Sequence, residues 1–199
     1  FGFRSEFQLM SIWPVKIRQG ELILRPMRFR DKKAWNEVRG KNREWLTPWD
    51  ATRPKIDTSV PLPNYFQMVA QQKRDGRAIK NIALGIWIKE SGREKFIGQI
   101  TLGGIAFGAM RGAYIGYWID QRFANRGYTT RAVNLLTQFA FDKLSLHRIE
   151  INLRPENAAS KRVAEKAGYK FEGLRTNYLH IDGAFRDHLC YVKENPLIQ

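Results

Sequence analysis

Two segments of this chain combine polar residues, glycine and a helix start in a way that suits the binding of a phosphorylated anion. The first runs Gly116-Tyr117-Trp118-Ile119-Asp120-Gln121-Arg122-Phe123-Ala124-Asn125-Arg126-Gly127-Tyr128-Thr129-Thr130. It reads as a strand, a short polar loop and the head of an amphipathic helix. A helix start presents backbone N–H groups without intrahelical partners, together with the positive end of the dipole. A pyrophosphate binds well there. Gly127 removes the side chain where an anion would approach the backbone. Asn125 is one of the few non-glycine types that tolerates a left-handed conformation. Arg122 and Arg126 add charge, and the Thr129 and Thr130 hydroxyls can donate to phosphate oxygens. The same residues would also serve as an ordinary strand-to-helix turn with surface arginines, since lone glycine turns are common.

The second segment spans residues 154–169 and again feeds a strand into a helix. Asn157 is a natural N-cap and Gly168 a natural C-terminal stop. Asn157 and Ser160 are also ordinary first-turn residues, so in isolation they need no function. No metal is expected. His147, His180 and His188 lack a zinc-type spacing, and the single Cys190 excludes an internal disulfide and a cysteine-rich metal site. Low cysteine usage fits a cytoplasmic protein.

The elements that must position these segments are legible from periodicity. Residues 22–27 read as a short strand ended by Pro26. Asp31 would then cap a helix carrying Ala34, Trp35 and Val38 and continuing to Trp45 and Leu46. Four prolines make residues 47–63 mainly loop. Residues 65–74 have helical spacing and stop near Gly76. Ile82, Leu84, Ile86 and Ile88 alternate with period two and mark a strand. Residues 96–107 form a second strand, with a bulge or bend expected at Gly103 and Gly104. Residues 113–119 form a third, and the short connections favour an antiparallel meander. A helix follows Gly127, then a strand at residues 148–153, then the helix after Asn157. Two last strands, at 169–174 and 185–192, flank an Asp182-Gly183 turn. The fold class is α+β: a mixed, mostly antiparallel central sheet with flanking helices.

Together the two segments resemble the GNAT superfamily of N-acetyltransferases. Arg122 to Gly127 is similar to its acyl-coenzyme A loop, Gln/Arg-x-x-Gly-x-Gly/Ala, with Asn125 in place of the first glycine. Asn157, Ser160, Val163, Gly168 and Tyr169 resemble its Asn-x-x-Ser-x-x-Val helix and the strand start after it. Leu24-Arg25-Pro26, Gly98-Gln99-Ile100-Thr101-Leu102, Gly116-Tyr117-Trp118 and residues 182–188 resemble the RimJ/RimL branch, which acetylates the N-termini of ribosomal proteins. The resemblance covers roughly residues 22–192. It implies a V-shaped splay between two parallel strands, which holds the pantetheine arm of acetyl-CoA as co-substrate. It also implies an N-terminal extension at residues 1–19, the GNAT domain at 20–193 and a tail at 194–199.

The implied reaction is direct attack of a primary amine on the acetyl thioester. Trp118, Ile119, Arg122, Asn125, Arg126, Gly127, Tyr128, Thr129, Thr130, Asn157 and Ser160 are then expected to bind the co-substrate. Ser160 carries over as the group that protonates the leaving thiolate. A backbone N–H of a bulged strand near Ile115 to Tyr117 would hold the oxyanion. The branch's base glutamate does not carry over, because Leu179 falls near its position; Asp187, Asp182 and Tyr114 remain as weaker alternatives. Trp45, Pro48 and Trp49 would lie near the acceptor mouth, with Trp49 and Tyr114 as substrate contacts, although core or loop packing would equally account for the tryptophans.

The charge bears on partners without choosing among them. Lys and Arg number 34 against 19 Asp and Glu, a formal charge of +15. Such a surface attracts polyanions: coenzyme A, nucleic acid, anionic lipid or a ribosomal surface. The resemblance, not the charge, implies the N-terminus of a protein as acceptor, a ribosomal protein above all; the basic surface would allow association with the ribosome. Two other readings stay open: a small amine such as an aminoglycoside or polyamine, which would call for an acidic mouth, and a non-catalytic ribosome- or RNA-binding module, against which no RNA-binding signature is present. No stretch of about 18 apolar residues suits a membrane helix, and residues 1–10 lack the apolar core of a secretion signal. A monomer or homodimer is expected.

Overall fold

The computed structural model describes residues 12–57 and 61–198. Eight strands form one sheet in the order β1-β2-β3-β4-β5-β6-β8-β7. They are β1 (Ile17–Gln19), β2 (Leu22–Arg25), β3 (Ile82–Glu90), β4 (Arg93–Ala106), β5 (Gly112–Ile119), β6 (Arg148–Leu153), β7 (Lys170–Ile181) and β8 (Ala184–Glu194). The helices are α1 (Lys32–Lys41), α2 (Arg43–Leu46), α3 (Tyr65–Arg77), α4 (Tyr128–Leu144) and α5 (Ala158–Lys166). No helix among the described residues is long and apolar enough to cross a membrane.

Alternation along the strands sends side chains to two covered faces. On one face Leu22, Leu24, Leu84, Ile86 and Ile100 pack against Val133, Leu136 and Ala140 of α4. On the other, Ile23, Trp87 and Phe96 pack against Val38 of α1 and Tyr65 and Val69 of α3. The central strand β3 is therefore buried on both faces over Ile82 to Ile88. Buried Arg25 fastens α1 to the sheet. Its guanidinium pairs with Asp31 at 2.7 Å and Glu94 at 2.8 Å and lies 3.7 Å from the Trp87 ring centre.

Every strand pair is antiparallel except β5 with β6. Their parallel register runs from Gly112↔Arg148 to Tyr114↔Glu150 and stops. Beyond it β5 stays paired with β4 on one side, out to Gly98↔Ile119. β6 turns instead with β8, out to Leu153↔Leu189. From Ile115 onward, one edge of β5 is thus open toward the diverging β6. Alternate residues of that edge turn their N–H and C=O groups outward.

Three sequence expectations shift. The register irregularity lies on β4, between Gly103 and Ala106, whereas Ile115 to Tyr117 of β5 keep a continuous register with β4. The bulge belongs where Gly104 adopts φ +59° and the Tyr114 ring lies against Gly103, so close that an added Cβ would meet it at 2.6 Å. The expected long helix to Leu46 is broken at Asn42, whose φ of −109° and ψ of 16° end α1. The Asn42 side chain donates to Val38 O at 2.8 Å and accepts from Gln121 N at 2.8 Å, tying the helix end to the loop after β5. Residues 17–19 pair with β2 across the Gly20 turn, Val15 joins the core, and buried Asn195 bonds Leu146 O at 3.2 Å. Finally β7 is longer than expected, because its pairing with β8 runs on through a bulged stretch between Arg175 and Leu179. The expectation at residues 1–10 lies outside the described residues.

Candidate active site

Where β5 and β6 part, the structure opens a cavity of about 800 Å³. Its walls come from the open half of β5, the starts of α4 and α5, and the segment around α2. The start of α4 follows from local sequence. Asn125 and Gly127 both take left-handed backbone, φ 60° and φ 78°, a conformation open to few other residue types. Gly127 is the N-cap, so no side chain covers the first amides of α4. At Gly127 and at Gly116 an added Cβ would meet nothing within 4 Å. The start of α5 is capped, with the Asn157 side chain accepting from Ser160 N at 2.9 Å. Both helices point their dipole-positive ends at the cavity.

Ser160 has a partner that sequence reasoning missed. Its Oγ lies 2.8 Å from the hydroxyl of Tyr117, which reaches across from β5. Burial raises the Tyr117 phenol well above its ordinary value, and the hydrogen bond with Ser160 offsets only part of that. The phenol therefore stays protonated and neutral. The one signal in the sequence was parity: Tyr117 is two residues from Ile115 and Ile119 and so shares their face.

Trp49, Tyr114, Trp118, Ile119, Asn125, Gly127, Thr129, Thr130, Asn157 and Ser160 all line the cavity. Arg122, Arg126 and Tyr128 do not. The Arg122 guanidinium is held by the buried carboxylate of Asp120, with Nε 3.1 Å from each carboxylate oxygen. Burial pushes the Asp120 carboxyl up, but hydrogen bonds from Arg122 and Asn42 outweigh it and leave its pKa lowered. Arg126 sits over the Phe123 ring at 5.2 Å, and Tyr128 packs on the core beside the same ring. The cations of the cavity wall are Arg162 and Lys166 of α5, which face it one and two turns after its start. The sequence reading gave a site role to neither, nor to Gln99 and Thr101 of β4, which it singled out only for their resemblance to the branch.

The side of the cavity away from α4 is built around the predicted aromatic cluster. Trp45 Nε1 donates to Ile119 O at 3.3 Å, so α2 is anchored to the end of β5. Arg154, at the end of β6, donates to Pro48 O at 2.9 Å and lies over the Trp49 ring at 5.6 Å. The segment at residues 47–49 thus spans the two diverging strands. Ala51 forms an antiparallel bridge with Ile181 of β7. Two carboxylates line the cavity, and each is paired: Asp50 with Arg39 at 2.7 Å and Glu156 with Arg154 at 3.2 Å. Asp182 and Asp187 lie elsewhere, the first in the β7–β8 turn at φ 46° and the second accepting from Asn177 N at 2.8 Å. Glu150, Glu172 and Cys190 bring potential ligand atoms within 4.8 Å of one another. Arg148 and Arg175 already bind those carboxylates, so the group reads as an ion-pair network.

Comparison with known proteins agrees with this geometry. The family model of the acetyltransferase (GNAT) domain matches residues 21–170. The chain is similar to the probable N-acetyltransferase YjcK of Bacillus subtilis, 30% identical over 88% of this chain and 94% of that protein. It is similar also to the ribosomal protein uS5-alanine N-acetyltransferase of Escherichia coli, 26% identical over 98% of this chain and 96% of that protein. Among solved structures, RimJ of Mycobacterium smegmatis in complex with a CoA-disulfide superposes with a TM-score of 0.82 at 30% identity, covering 92% of this chain and 88% of that one. The chain therefore belongs to the GNAT acetyltransferase family, as an N-acetyltransferase that takes its acetyl group from acetyl-CoA.

Proposed function

We propose that this chain acetylates the N-terminal α-amine of a protein, with a ribosomal protein as the favoured acceptor. The observation that carries the reading is the pairing at one cavity of a poised hydroxyl, Ser160, with carboxylates that are already neutralised by arginines. An acceptor that relied on a strong protein base would be poorly served there. An α-amine has a pKa of about 7.7–8.0, against about 10.4 for lysine. About a tenth of α-amines are neutral at pH 7, and modest help through water suffices. The similarity to the uS5-alanine enzyme of Escherichia coli supports the same acceptor class.

The residues present fit acetyl-CoA. The uncapped start of α4 offers amides to a diphosphate, Gly127 leaves the approach open, and Arg162 and Lys166 supply charge. Bound there, acetyl-CoA supplies an acetyl group on a thioester, activated toward amines. The open edge of β5 aligns the arm by backbone hydrogen bonds. Trp49 and Tyr114 border the acceptor's approach. The amine nitrogen bonds to the acetyl carbon, the carbon–sulfur bond breaks, and Ser160 Oγ gives its proton to the departing sulfur. Tyr117, neutral and 2.8 Å away, holds that hydroxyl in place, and water returns the proton that Ser160 gave. The proton lost by the amine leaves through water. A cytoplasmic setting beside ribosomes belongs to the same proposal.

The test is acetylation of three acceptors by the purified chain, followed by mass spectrometry. One is a peptide beginning with Ala, one the same peptide with a blocked N-terminus and an internal lysine, and one spermidine. The free α-amine should be modified and the lysine should not. A higher kcat/KM on spermidine than on the Ala peptide would reject the reading.

A further inference from the structure

The charge of +15 is far more than the cavity uses. One surface gathers part of it together with exposed aromatic rings. It is made by the turn between β2 and α1 and by the outer side of α3, on the sheet face opposite α4. Phe29 is 56% exposed and Phe66 46%, yet the two rings touch edge to face with centroids 5.7 Å apart. The Lys32 ammonium stands 4.7 Å from the centre of the Phe66 ring. Arg28 and Arg30 are exposed in the same turn, and Lys33 is exposed at the start of α1. Along α3, Phe66, Lys73 and Arg77 are exposed at i, i+7 and i+11, which puts them on one helical face. That stripe is about 16 Å long at 1.5 Å per residue.

The carboxylates beside this surface are engaged: exposed Glu37 of α1, one turn from Lys33, pairs with Lys41 at 2.6 Å. The carboxylate of the turn, Asp31, is buried under Arg25. The carboxylate of α3, Asp75, accepts from Gln71 at 2.8 Å. The surface is also held rigid. Tyr65 OH donates to Arg28 O at 2.8 Å, which locks the turn to α3, and Asp31 accepts from Arg28 N at 2.8 Å. None of these residues lines the cavity, so acetyl-CoA does not account for them.

Exposed aromatic rings interleaved with a track of cations are the chemistry that binds single-stranded nucleic acid: bases stack on the rings and phosphates follow the cations. We propose that this surface binds single-stranded RNA, with bases on Phe29 and Phe66 and phosphates along Lys32, Lys73 and Arg77. The choice of RNA over DNA rests on the acceptor reading above, since a ribosomal protein is met amid ribosomal RNA. The surface would hold the enzyme beside its acceptor while the cavity on the far side stays free.

The experiment is fluorescence anisotropy of a labelled dodecauridylate with the full chain, as a function of salt. Phe29→Ala/Phe66→Ala should weaken binding by roughly tenfold or more per ring. Lys73→Ala/Arg77→Ala should flatten the slope of log K against log salt by about 1.4, at about 0.7 per phosphate contact. Both variants should acetylate a free Ala-starting peptide at the wild-type rate. Should the alanine pair unfold the turn, Phe66→Leu keeps the bulk, removes the ring and carries the same test. No binding of dodecauridylate, wild-type affinity in the variants, or equal competition by an RNA duplex or by phosphatidylserine vesicles would overturn the proposal. Loss of peptide acetylation with RNA binding intact would sink the acceptor reading and leave this one standing.

Discussion

Replacing Tyr117 by Phe removes one oxygen and keeps the ring. That oxygen lies 2.8 Å from Ser160 Oγ and 3.3 Å from Ser160 O. A hydrogen bond of this kind is worth about 0.5–1.5 kcal/mol net. If its service is to hold the Ser160 hydroxyl, Tyr117→Phe should lower kcat by about two- to thirteen-fold and leave KM for acetyl-CoA nearly unchanged. In the mechanism proposed above, Ser160→Ala removes the proton donor itself and should cost on the order of a hundredfold or more. Because Tyr117 acts through Ser160, the double variant should be no slower than Ser160→Ala alone. The assay is steady-state thiol release with an Ala-starting peptide. Burial keeps the phenol protonated throughout the accessible range, so the rise of rate with pH reports the acceptor amine and should keep its midpoint in Tyr117→Phe. If Tyr117→Phe slows the Ser160→Ala enzyme by the same factor as the wild type, the two groups act independently and the reasoning is wrong.

Three further perturbations probe the scaffold. Gly127→Ala puts a side chain at φ 78° and into open space at the head of α4; the strain should cost about 1–2 kcal/mol, and isothermal titration should show acetyl-CoA binding weakened about tenfold, whereas unchanged affinity would remove Gly127 from the site. Gly98→Ala would place a Cβ 2.4 Å from the carbonyl oxygen of Trp118, a clash with backbone that should lower the urea midpoint by the equivalent of about 1–3 kcal/mol. Asp120→Asn should cost about 1–3 kcal/mol at pH 7, since it weakens the acceptor of the Arg122 bonds. The sign of its pH dependence follows from a lowered folded pKa: the wild-type carboxylate stabilises the fold above its unfolded value of about 3.9 and loses that contribution as pH falls through the lowered folded value. Urea midpoints at pH 7 and pH 3 should therefore converge between wild type and Asp120→Asn, and a constant gap would contradict the assignment.

Local rules located most elements, because they depend on what neighbours in sequence can do. Period-two alternation marked β3, the Gly103-Gly104 pair marked the irregularity of β4, and Asn157 and Gly168 bounded α5. Pairings decided at long range were hidden. β8 lies between β6 and β7, and β7 owes its length to β8. Asn42 ends α1 because a backbone amide 79 residues away, Gln121 N, takes its side chain. Nothing in the local pattern of Arg39, Gly40, Lys41 and Asn42 announces that partner.

The site divides along the same line. Its backbone features were legible, since a left-handed Asn125 and an uncapped Gly127 are properties of single residues. Its side-chain electrostatics were not, since a charge does whatever its nearest opposite charge allows. Arg122 was expected at the anion and is instead held by Asp120, two residues before it and buried. Arg162 and Lys166, to which the sequence reading gave no role, line the cavity in its place. Tyr117 shows the limit most sharply. Its parity put it on the right face, but its hydroxyl matters only because β6 leaves β5 after Tyr114 and lets α5 bring Ser160 to within 2.8 Å. The break in the sheet makes the cavity and the Tyr117–Ser160 contact together, so a variant that extended β5–β6 pairing past Tyr114 would remove both at once.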